Sequence, residues 1–378
     1  MAVRISHVYS NALTLLRNVL WQNTQHIREE VNGCEWEALV DFFAQHSLCG
    51  LLSDAIGLLP SDMHPSVALK MRIIARQLQV EKRNLRMNEE LLSFTTELER
   101  RDIPYALLKG QGVASLYPNP LHRMSGDVDL YIPMSYYKEV CRGILSFGGV
   151  KGEETCHHVN YTARGVVWEL HHCIHYFQKE RRNKIFSDYV DKAMSERPVY
   201  ATVGDGKVRV MPPTMNVLLL LAHILDHFNC SGVGLRQLCD YALLQHHMRK
   251  DIDKEVLLEC LDSLSLTRSY RVFGYICTRY LGMPEEDLYL QPTAKDIRLA
   301  QRVMEDCLRG GNFGRSEAPS RDTLWHWMYF YSRFLFRLLK FRKLCPSEAL
   351  WWPLAKVKRL LTGTIFISEE KSVLNRAS

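Results

Sequence analysis

Two aspartates separated by one residue are the side chains of this sequence that could most clearly do chemistry. Asp127 and Asp129 lie in an apolar run beside Val128 and Leu130. Because side chains alternate along a strand, both carboxylates would leave one face while the apolar residues point into a core. Paired carboxylates repel unless cations neutralise them, and Mg²⁺ prefers carboxylate and phosphate oxygens. The pair predicts either a metal site or, more simply, a solvated strand end with two acids.

A third carboxylate recurs on a later predicted strand. Residues 158–161 and 166–171 are typical of a β-hairpin around a four-residue turn. In the second arm Glu169 and His171 share one face, since they are two residues apart. An acid and an imidazole are therefore expected on the same side of a strand.

Short strands and short helices alternate around these acids. Residues 105–108 predict a strand, Gly110 and Gly112 form a Gly-x-Gly turn that opens a short helix, and residues 127–132 form the strand with both aspartates. A helix is then expected from Ser135, as its cap, to about residue 147.

This order resembles the DNA polymerase β-like nucleotidyltransferase superfamily, which carries a glycine turn, a hydrophobic-flanked Asp-x-Asp and a third acid on a later strand. More narrowly, four stretches look like its uncharacterised bacterial nucleotidyltransferase family. They are Leu-Leu-Lys-Gly at 107–110, Arg123-x-x-Gly126-Asp127-Val128-Asp129-Leu130, Glu169-Leu170-His171, and Gly232-Val233-Gly234-Leu235-Arg236-Gln237-x-x-Asp240. The resemblance covers roughly residues 100–245.

The resemblance implies a metal-dependent nucleotidyltransferase. Asp127, Asp129 and Glu169 would be its catalytic, metal-binding residues, with Mg²⁺ or Mn²⁺ as cofactor and a nucleoside triphosphate as co-substrate. An acceptor would attack the α-phosphorus and pyrophosphate would leave, so charge must be neutralised on both oxygens. Glu169 could help to deprotonate the acceptor, whose identity as small molecule, RNA or protein stays open.

The same resemblance implies residues that bind the phosphates. Backbone N–H groups at Gly110 and Gly112 could approach them closely. Lys109 and Arg123 are candidate phosphate cations. His171, because it shares a strand face with Glu169, is a candidate phosphate contact, with a packed or surface histidine as the alternative. The alternatives are a solvated Lys109 at a strand end and an Arg123 that pairs with a nearby acid.

A cluster of histidines and cysteines raises the possibility of zinc, since imidazole and thiolate are its ligands. The cluster comprises Cys156, His157, His158, His171, His172, Cys173 and His175. Neighbouring strand residues face opposite ways, which argues against convergence of adjacent histidines on one ion without a bend.

A later predicted helix offers another possible site. His223, Asp226 and His227 are spaced i, i+3 and i+4, so a metal-dependent phosphohydrolase that also uses Asp240 is an alternative function. Arg236, four residues before Asp240, predicts a helix-surface ion pair, although the family resemblance favours a place for Arg236 in the nucleotide cleft.

Composition indicates an ordinary globular protein. The 378 residues are 47% hydrophobic with a net charge of +6, which is compatible with a polyphosphate partner without requiring one. Eleven cysteines without a repeated Cys-x-x-Cys favour reduced thiols and a cytoplasmic protein. The apolar run 217–225 is too short and polar to span a bilayer.

We therefore predict an α+β protein in which a small mixed-sheet nucleotidyltransferase core is embedded in a largely helical chain. The expected divisions are a helical region at 1–100, the core at 101–195, a helical domain that closes the cleft at 196–310, and basic aromatic helices at 311–378. A non-catalytic binding or adaptor protein that retains the fold is the alternative from another class. The oligomeric state is not predicted.

Overall fold

A seven-stranded mixed sheet carries Asp129 and Glu169, and Asp127 directly precedes one of its strands. The computed structural model describes residues 7–25, 27–31, 33–155, 157–230, 232–311 and 335–351. The strands are β1 (Ala106–Leu107), β2 (Val128–Tyr131), β3 (Val150–Glu154), β4 (His158–Ala163), β5 (Val166–His171), β6 (Val199–Val203) and β7 (Gly206–Val210). Their spatial order is β3-β4-β5-β2-β1-β7-β6. The pairs β2–β5 and β1–β7 are parallel, and the other neighbours are antiparallel.

Helices surround this sheet, which confirms the predicted α+β class. They are α1 (His7–Trp21), α2 (Ile27–Glu30), α3 (Trp36–Gln45), α4 (Cys49–Leu58), α5 (Val67–Arg100), α6 (Gly110–Ala114), α7 (Met134–Ser146), α8 (Glu180–Ser195), α9 (Pro213–Cys230), α10 (Leu235–His247), α11 (Lys254–Ser263), α12 (Thr267–Leu281) and α13 (Ala294–Gly310). Helix α7 begins directly after Pro133 instead of at a Ser135 cap, because a proline at that point already has a φ of −55°.

The two faces of the sheet bury different cores. On one face Val128, Leu130 and Trp168 pack under α5 and α7, and the Trp168 ring lies 5.1 Å from the Phe94 ring. On the other face Leu108 and Tyr131 join a larger core formed mainly by the helices. The alternation of side chains along each strand therefore places the polar residues of β2 and β5 between the sheet and the helices of the second half of the chain.

The sheet continues past residue 195, where the sequence predicted the core to end. Strands β6 and β7 form a hairpin, and Leu107 of β1 pairs with Val210 of β7. Neither this hairpin nor helix α8 was predicted. The hairpin supplies the parallel neighbour that flanks β1, so it belongs to the same sheet as the acids.

The predicted basic aromatic region at 311–378 lies mostly outside the described residues. Within 335–351, Leu338, Phe341 and Leu344 are buried, and the Arg337 guanidinium contacts Asp306 and lies 4.7 Å from the Phe228 ring centre. This part of the region packs against the protein. No helix among the described residues is both long and apolar enough to cross a membrane.

Candidate active site

Parallel pairing of β2 and β5 brings two of the predicted acids side by side. Asp129 is the register partner of Glu169, and Tyr131 is the partner of His171. Leu130 points to the opposite face, into the core beneath α5. The sequence predicted which face each side chain would take, and the strand pairing places the two carboxylates next to each other.

Asp129, Glu169 and His171 form a compact group. The His171 Nε2 atom lies 2.9 Å from Asp129 Oδ1 and 3.4 Å from Glu169 Oε2. One ligand atom from each side chain lies within 4.8 Å of the others. Asp129 is only 2% exposed, whereas the Glu169 side chain is 19% exposed. The group thus has a buried end at Asp129 and a more accessible end at Glu169.

Lys109 joins this group from the end of β1. Its Nζ atom lies 3.0 Å from Asp129 Oδ1 and 3.4 Å from His223 Nδ1. The backbone N–H of Leu108 donates to the Asp129 carbonyl, which fixes the chain next to β2. The side chain of Lys109 is only 15% exposed, so the alternative of a solvated lysine at a strand end is wrong.

The charges of this group stabilise one another. Burial alone would raise the pKa of Asp129, but the Lys109 ammonium and the hydrogen bond from His171 outweigh it and hold the pKa well below its usual range. Burial would lower the pKa of Lys109, yet the surrounding carboxylates raise it. The same balance raises the pKa of His171, because Asp129 and Glu169 outweigh its burial. Lys109 and Asp129 are therefore charged at neutral pH.

Asp127 lies next to this compact group and is not part of it. Among the described residues, the group of possible metal ligands that contains Asp129 and Glu169 has His171, and not Asp127, as its third side chain. Burial and then repulsion by Asp129 raise the pKa of Asp127 to about 6, while Lys109 and Arg236 oppose the rise. A carboxylate whose ionisation is this unfavourable gains the most from an added cation.

The glycine turn positions Lys109 and the start of α6. Gly110 has a φ of +55°, a left-handed conformation that glycine adopts without strain. A Cβ at Gly112 would lie 3.1 Å from Val210 Cγ1 and 3.3 Å from Leu107 Cδ2. The second glycine is therefore explained by close packing of α6 on β1 and β7. Whether either glycine also approaches a phosphate stays a prediction.

Arg123 and Asp240 form a buried ion pair. Arg123 donates from Nε and from a terminal nitrogen to the two Asp240 oxygens, each at 2.7 Å, and the Tyr117 hydroxyl donates to Asp240 at 2.7 Å. The predicted surface pair between Arg236 and Asp240 is wrong, because Asp240 faces the loop that precedes β2. For Arg123 the structure favours the alternative, pairing with a nearby acid.

Arg236 has spare hydrogen-bonding capacity near the acids. One terminal nitrogen donates to the Met124 carbonyl at 3.1 Å, while Nε is buried and has no hydrogen-bond partner among the described residues. Burial and then repulsion by Arg123 lower the pKa of Arg236, while the Asp240 carboxylate and, more weakly, the Asp127 carboxylate act in the opposite direction. Unlike Arg123, Arg236 forms no ion pair with a carboxylate among the described residues.

A histidine missed by the sequence reasoning anchors the loop before Asp127. His122 Nδ1 lies 2.7 Å from Asp54 on α4, and Nε2 lies 2.7 Å from Glu81 on α5. Burial lowers the pKa of His122, but the two carboxylates outweigh it and raise the pKa above its ordinary value. A Cβ at Gly50 would lie 2.2 Å from the His122 carbonyl oxygen, so α4 packs directly on this loop. The sequence contains no signal for His122, because its two carboxylate partners lie far from it along the chain.

The histidines of β4 and β5 converge more than the sequence predicted. His157, His158 and His171 each place a nitrogen within 4.8 Å of the others. The sequence argued against convergence of adjacent histidines without a bend, and the structure supplies one, because His157 lies in the bend that precedes β4 and not in the strand. His172 follows the expectation, since its ring packs on Tyr137 on the opposite side of the sheet.

The helix α9 face does not form the alternative hydrolase site. The His223 and His227 rings lie 4.2 Å apart and His223 contacts Lys109, but Asp226 is exposed. Asp240 is occupied by Arg123. In the described part of the chain these residues do not form a three-ligand group. His223 and His227 instead line the helical side of the carboxylate group.

The donor set suits a divalent cation with oxygen ligands. Asp129 and Glu169 supply carboxylates on one face of the sheet, with Asp127 just before β2. Burial and then repulsion by Asp129 raise the pKa of Asp127, although Lys109 and Arg236 oppose the rise. Carboxylate oxygens are preferred by Mg²⁺ and Mn²⁺. The arrangement can therefore concentrate positive charge, from an ion and from side chains, around a phosphate.

A known protein family matches most of this chain. A sequence model of a protein family described as uncharacterised nucleotidyltransferase matches residues 32–282, which is more than half of the chain. No curated protein matches this sequence. Among solved structures, an antigenic nucleotidyltransferase-like protein from Paracoccidioides brasiliensis is 14% identical, with a TM-score of 0.35 over 56% of this chain and 96% of that chain.

Proposed function

Because this chain belongs to the uncharacterised nucleotidyltransferase family, we propose that it transfers a nucleoside monophosphate from a nucleoside triphosphate to an acceptor hydroxyl or phosphate. The observation that carries the proposal is the register pairing of Asp129 with Glu169 on parallel strands, with Asp127 two residues earlier and Lys109 against them. In the reaction an acceptor oxygen bonds to the α-phosphorus, the bond to the bridging oxygen breaks, and pyrophosphate leaves.

Asp127, Asp129 and Glu169 would hold the divalent metal, Mg²⁺ or Mn²⁺. When bound, the metal would neutralise the phosphate oxygens on which charge develops. The high pKa of Asp127 supports this assignment, since a cation relieves the repulsion that burial and Asp129 impose on that carboxyl. His171, which hydrogen-bonds to Asp129, would keep that carboxylate oriented.

Lys109 and Arg236 would supply the fixed positive charges for the triphosphate. Lys109 is held at the carboxylates by the glycine turn, and the Nε hydrogen of Arg236 has no acceptor in the part of the chain that the structure describes. A planar guanidinium can donate two parallel hydrogen bonds to a phosphate, whereas an ammonium acts as a point charge. Arg123 would act indirectly, because its pair with Asp240 fixes the loop before Asp127.

Glu169 is the acid best placed to receive a proton from the acceptor. Its side chain is 19% exposed, against 2% for the Asp129 side chain, so it is the carboxylate that an acceptor could reach. As the acceptor oxygen bonds to phosphorus, its proton would pass to Glu169. We propose a small molecule, an RNA or a protein as acceptor, and a cytoplasmic site of action.

The experiment is incubation of the purified full-length protein with each nucleoside triphosphate, Mg²⁺ or Mn²⁺ and a cell extract. Pyrophosphate release and transfer of label from the α-phosphate would be measured. We expect Asp129→Asn to reduce both by at least about 100-fold, since removal of one preorganised charge-stabilising group typically costs that much. Asp205→Asn, in the exposed turn between β6 and β7, is the matched control and should be unchanged.

Activity that survives in Asp129→Asn would contradict the mechanism. Absence of label transfer with every nucleotide, together with stable binding of a protein or RNA from the extract, would instead favour the adaptor alternative. Release of inorganic phosphate that depends on His223 would favour the phosphohydrolase alternative.

A further inference from the structure

Three histidines form a second group of metal-binding side chains beside the carboxylates. His158 and His171 are cross-strand partners on β4 and β5. His157 precedes β4, and its carbonyl accepts a hydrogen bond from the His172 backbone at 3.1 Å, which ties the bend to the end of β5. One nitrogen from each of the three rings lies within 4.8 Å of the others. Backbone pairing thus fixes all three side chains on one side of the sheet.

The ring separations match those of imidazoles around one small ion. The ring centres of His157 and His158 lie 4.4 Å apart, those of His158 and His171 4.9 Å, and those of His157 and His171 5.7 Å. A zinc–nitrogen distance of about 2.0–2.1 Å with tetrahedral angles places bound imidazole centres roughly 5 Å apart. The spacing of the three rings is therefore compatible with imidazoles around one ion.

The contacts of His171 give an independent indication of a ligand. Its Nε2 atom contacts Asp129 at 2.9 Å and Glu169 at 3.4 Å, whereas its Nδ1 atom is buried without a hydrogen-bond partner among the described residues. The residue is only 3% exposed. Histidines that bind metals typically donate one ring N–H to a carboxylate and use the other nitrogen as ligand. This leaves Nδ1 of His171 as the nitrogen for an ion.

Thr155 orients the other two rings. Its hydroxyl oxygen lies 3.4 Å from His157 Nδ1 and 3.2 Å from His158 Nδ1. The Nε2 atom of His158 lies 3.8 Å from Glu169 Oε1, between the imidazole group and the carboxylate group. Both groups therefore share an edge, formed by Glu169 and His171.

We propose that His157, His158 and His171 bind one borderline transition-metal ion of the Zn²⁺ type, at a site separate from the Mg²⁺ or Mn²⁺ carboxylate site. Three imidazoles select such an ion over Mg²⁺, which prefers oxygen. The bound ion would hold His171 against Asp129 and Glu169 and thereby keep those carboxylates in place. This site does not depend on the transferase activity.

The test uses full-length protein stripped of metal and titrated with Co²⁺ alone, a spectroscopic substitute for Zn²⁺. We expect one equivalent to produce the visible absorption of Co²⁺ with nitrogen ligands, and dialysis against Zn²⁺ to leave about one zinc per chain. X-ray absorption of the zinc-loaded wild type should show imidazole scattering, which tests the ligands without any variant.

Three variants locate the ion. His157→Ala should weaken zinc binding by at least about 100-fold, because even loss of an indirect contact to a ligand typically costs 10–100-fold. His172→Ala is the matched control, an adjacent histidine whose ring packs on Tyr137, and should bind as the wild type does. Asp127→Asn should keep zinc while weakening Mn²⁺ binding.

Three results would overturn the proposal. Equal zinc affinity in His157→Ala and wild type would place the ion elsewhere, and loss of zinc in Asp127→Asn would place it among the carboxylates. Absorption spectra without imidazole ligands would exclude the site even if His157→Ala failed to fold. A confirmed zinc site without label transfer would separate failure of the proposed function from failure of this inference.

Discussion

Removal of the charge at Asp240 should strongly destabilise the protein. Asp240 and Arg123 are paired with side-chain exposures of only 5% and 3%, and Asp240 also accepts from Tyr117. Asp240→Asn keeps the shape but removes the negative charge, so a buried guanidinium loses its counter-ion and one of two short hydrogen bonds. Loss of one partner of a buried pair typically costs about 3–5 kcal/mol. We expect the free energy of unfolding to fall by that amount.

The measurement is urea unfolding of wild type and variant, with comparison of midpoints at unchanged slope. Arg123→Met combined with Asp240→Leu should recover much of the loss, because apolar groups of similar size avoid the desolvation cost of both charges. Asp62→Asn is the control. Its partner Arg28 forms a similar two-bond pair on the surface, with 60% and 62% of the two side chains exposed, and no measurable change is expected.

A loss of less than about 1 kcal/mol in the free energy of unfolding of Asp240→Asn would refute the reasoning. It would mean that the Arg123 guanidinium reaches solvent or another acceptor. A double variant less stable than either single variant would also refute it. Since Arg123 anchors the loop that leads into β2, we further expect Asp240→Asn to weaken Mn²⁺ binding at the carboxylates.

Three further predictions follow from the same structure. The pKa of His122 is raised in the folded state. Its contribution to stability is therefore complete below the unfolded pKa of about 6.5 and is lost as the pH rises through the folded pKa. The melting temperatures of wild type and His122→Gln should converge as the pH increases. Gly50→Ala should lower the free energy of unfolding, measured in urea, by about 1–3 kcal/mol or more, since its Cβ would lie 2.2 Å from a backbone oxygen. Gly57→Ala is the control on the same helix. Its Cβ would meet nothing within 4 Å, so this variant should raise the free energy of unfolding by about 0.5–1 kcal/mol. Lys109→Met should reduce label transfer by about 100-fold or more, measured with saturating Mg²⁺, because Asp129 and the phosphates lose their fixed cation.

Each of these predictions has a result that would contradict it. A melting-temperature difference for His122→Gln that grows between pH 6 and 9 would reverse the sign of the linkage. Equal stability of the two glycine variants would show that α4 can move away from the loop. Full transfer activity in Lys109→Met would assign the phosphate charge to other residues.

The local pattern of the sequence was sufficient for strands β1, β2, β4 and β5 and for the faces of their side chains, but not for β3, β6 and β7. Alternation with a period of two predicted that Glu169 and His171 share one side of β5. It also predicted that Asp127 and Asp129 share one side of a strand, whereas β2 begins at Val128 and contains only Asp129. The helical region predicted at 1–100 contains the long helix α5, which few breakers interrupt. These properties depend on neighbours within a few residues of each other along the chain.

The partners of each charged group were decided by the tertiary structure. Arg123 and Asp240 are 117 residues apart, and Lys109 and His223 are 114 apart, so no local spacing relates them. The bend that brings His157 next to His158 is likewise set by pairing with the end of β5. A buried charge takes whichever counter-charge the folded chain places beside it, because leaving it unpaired costs more than any local preference provides. The sequence by itself therefore determined which residues could do chemistry, and only the folded chain decided which of them meet.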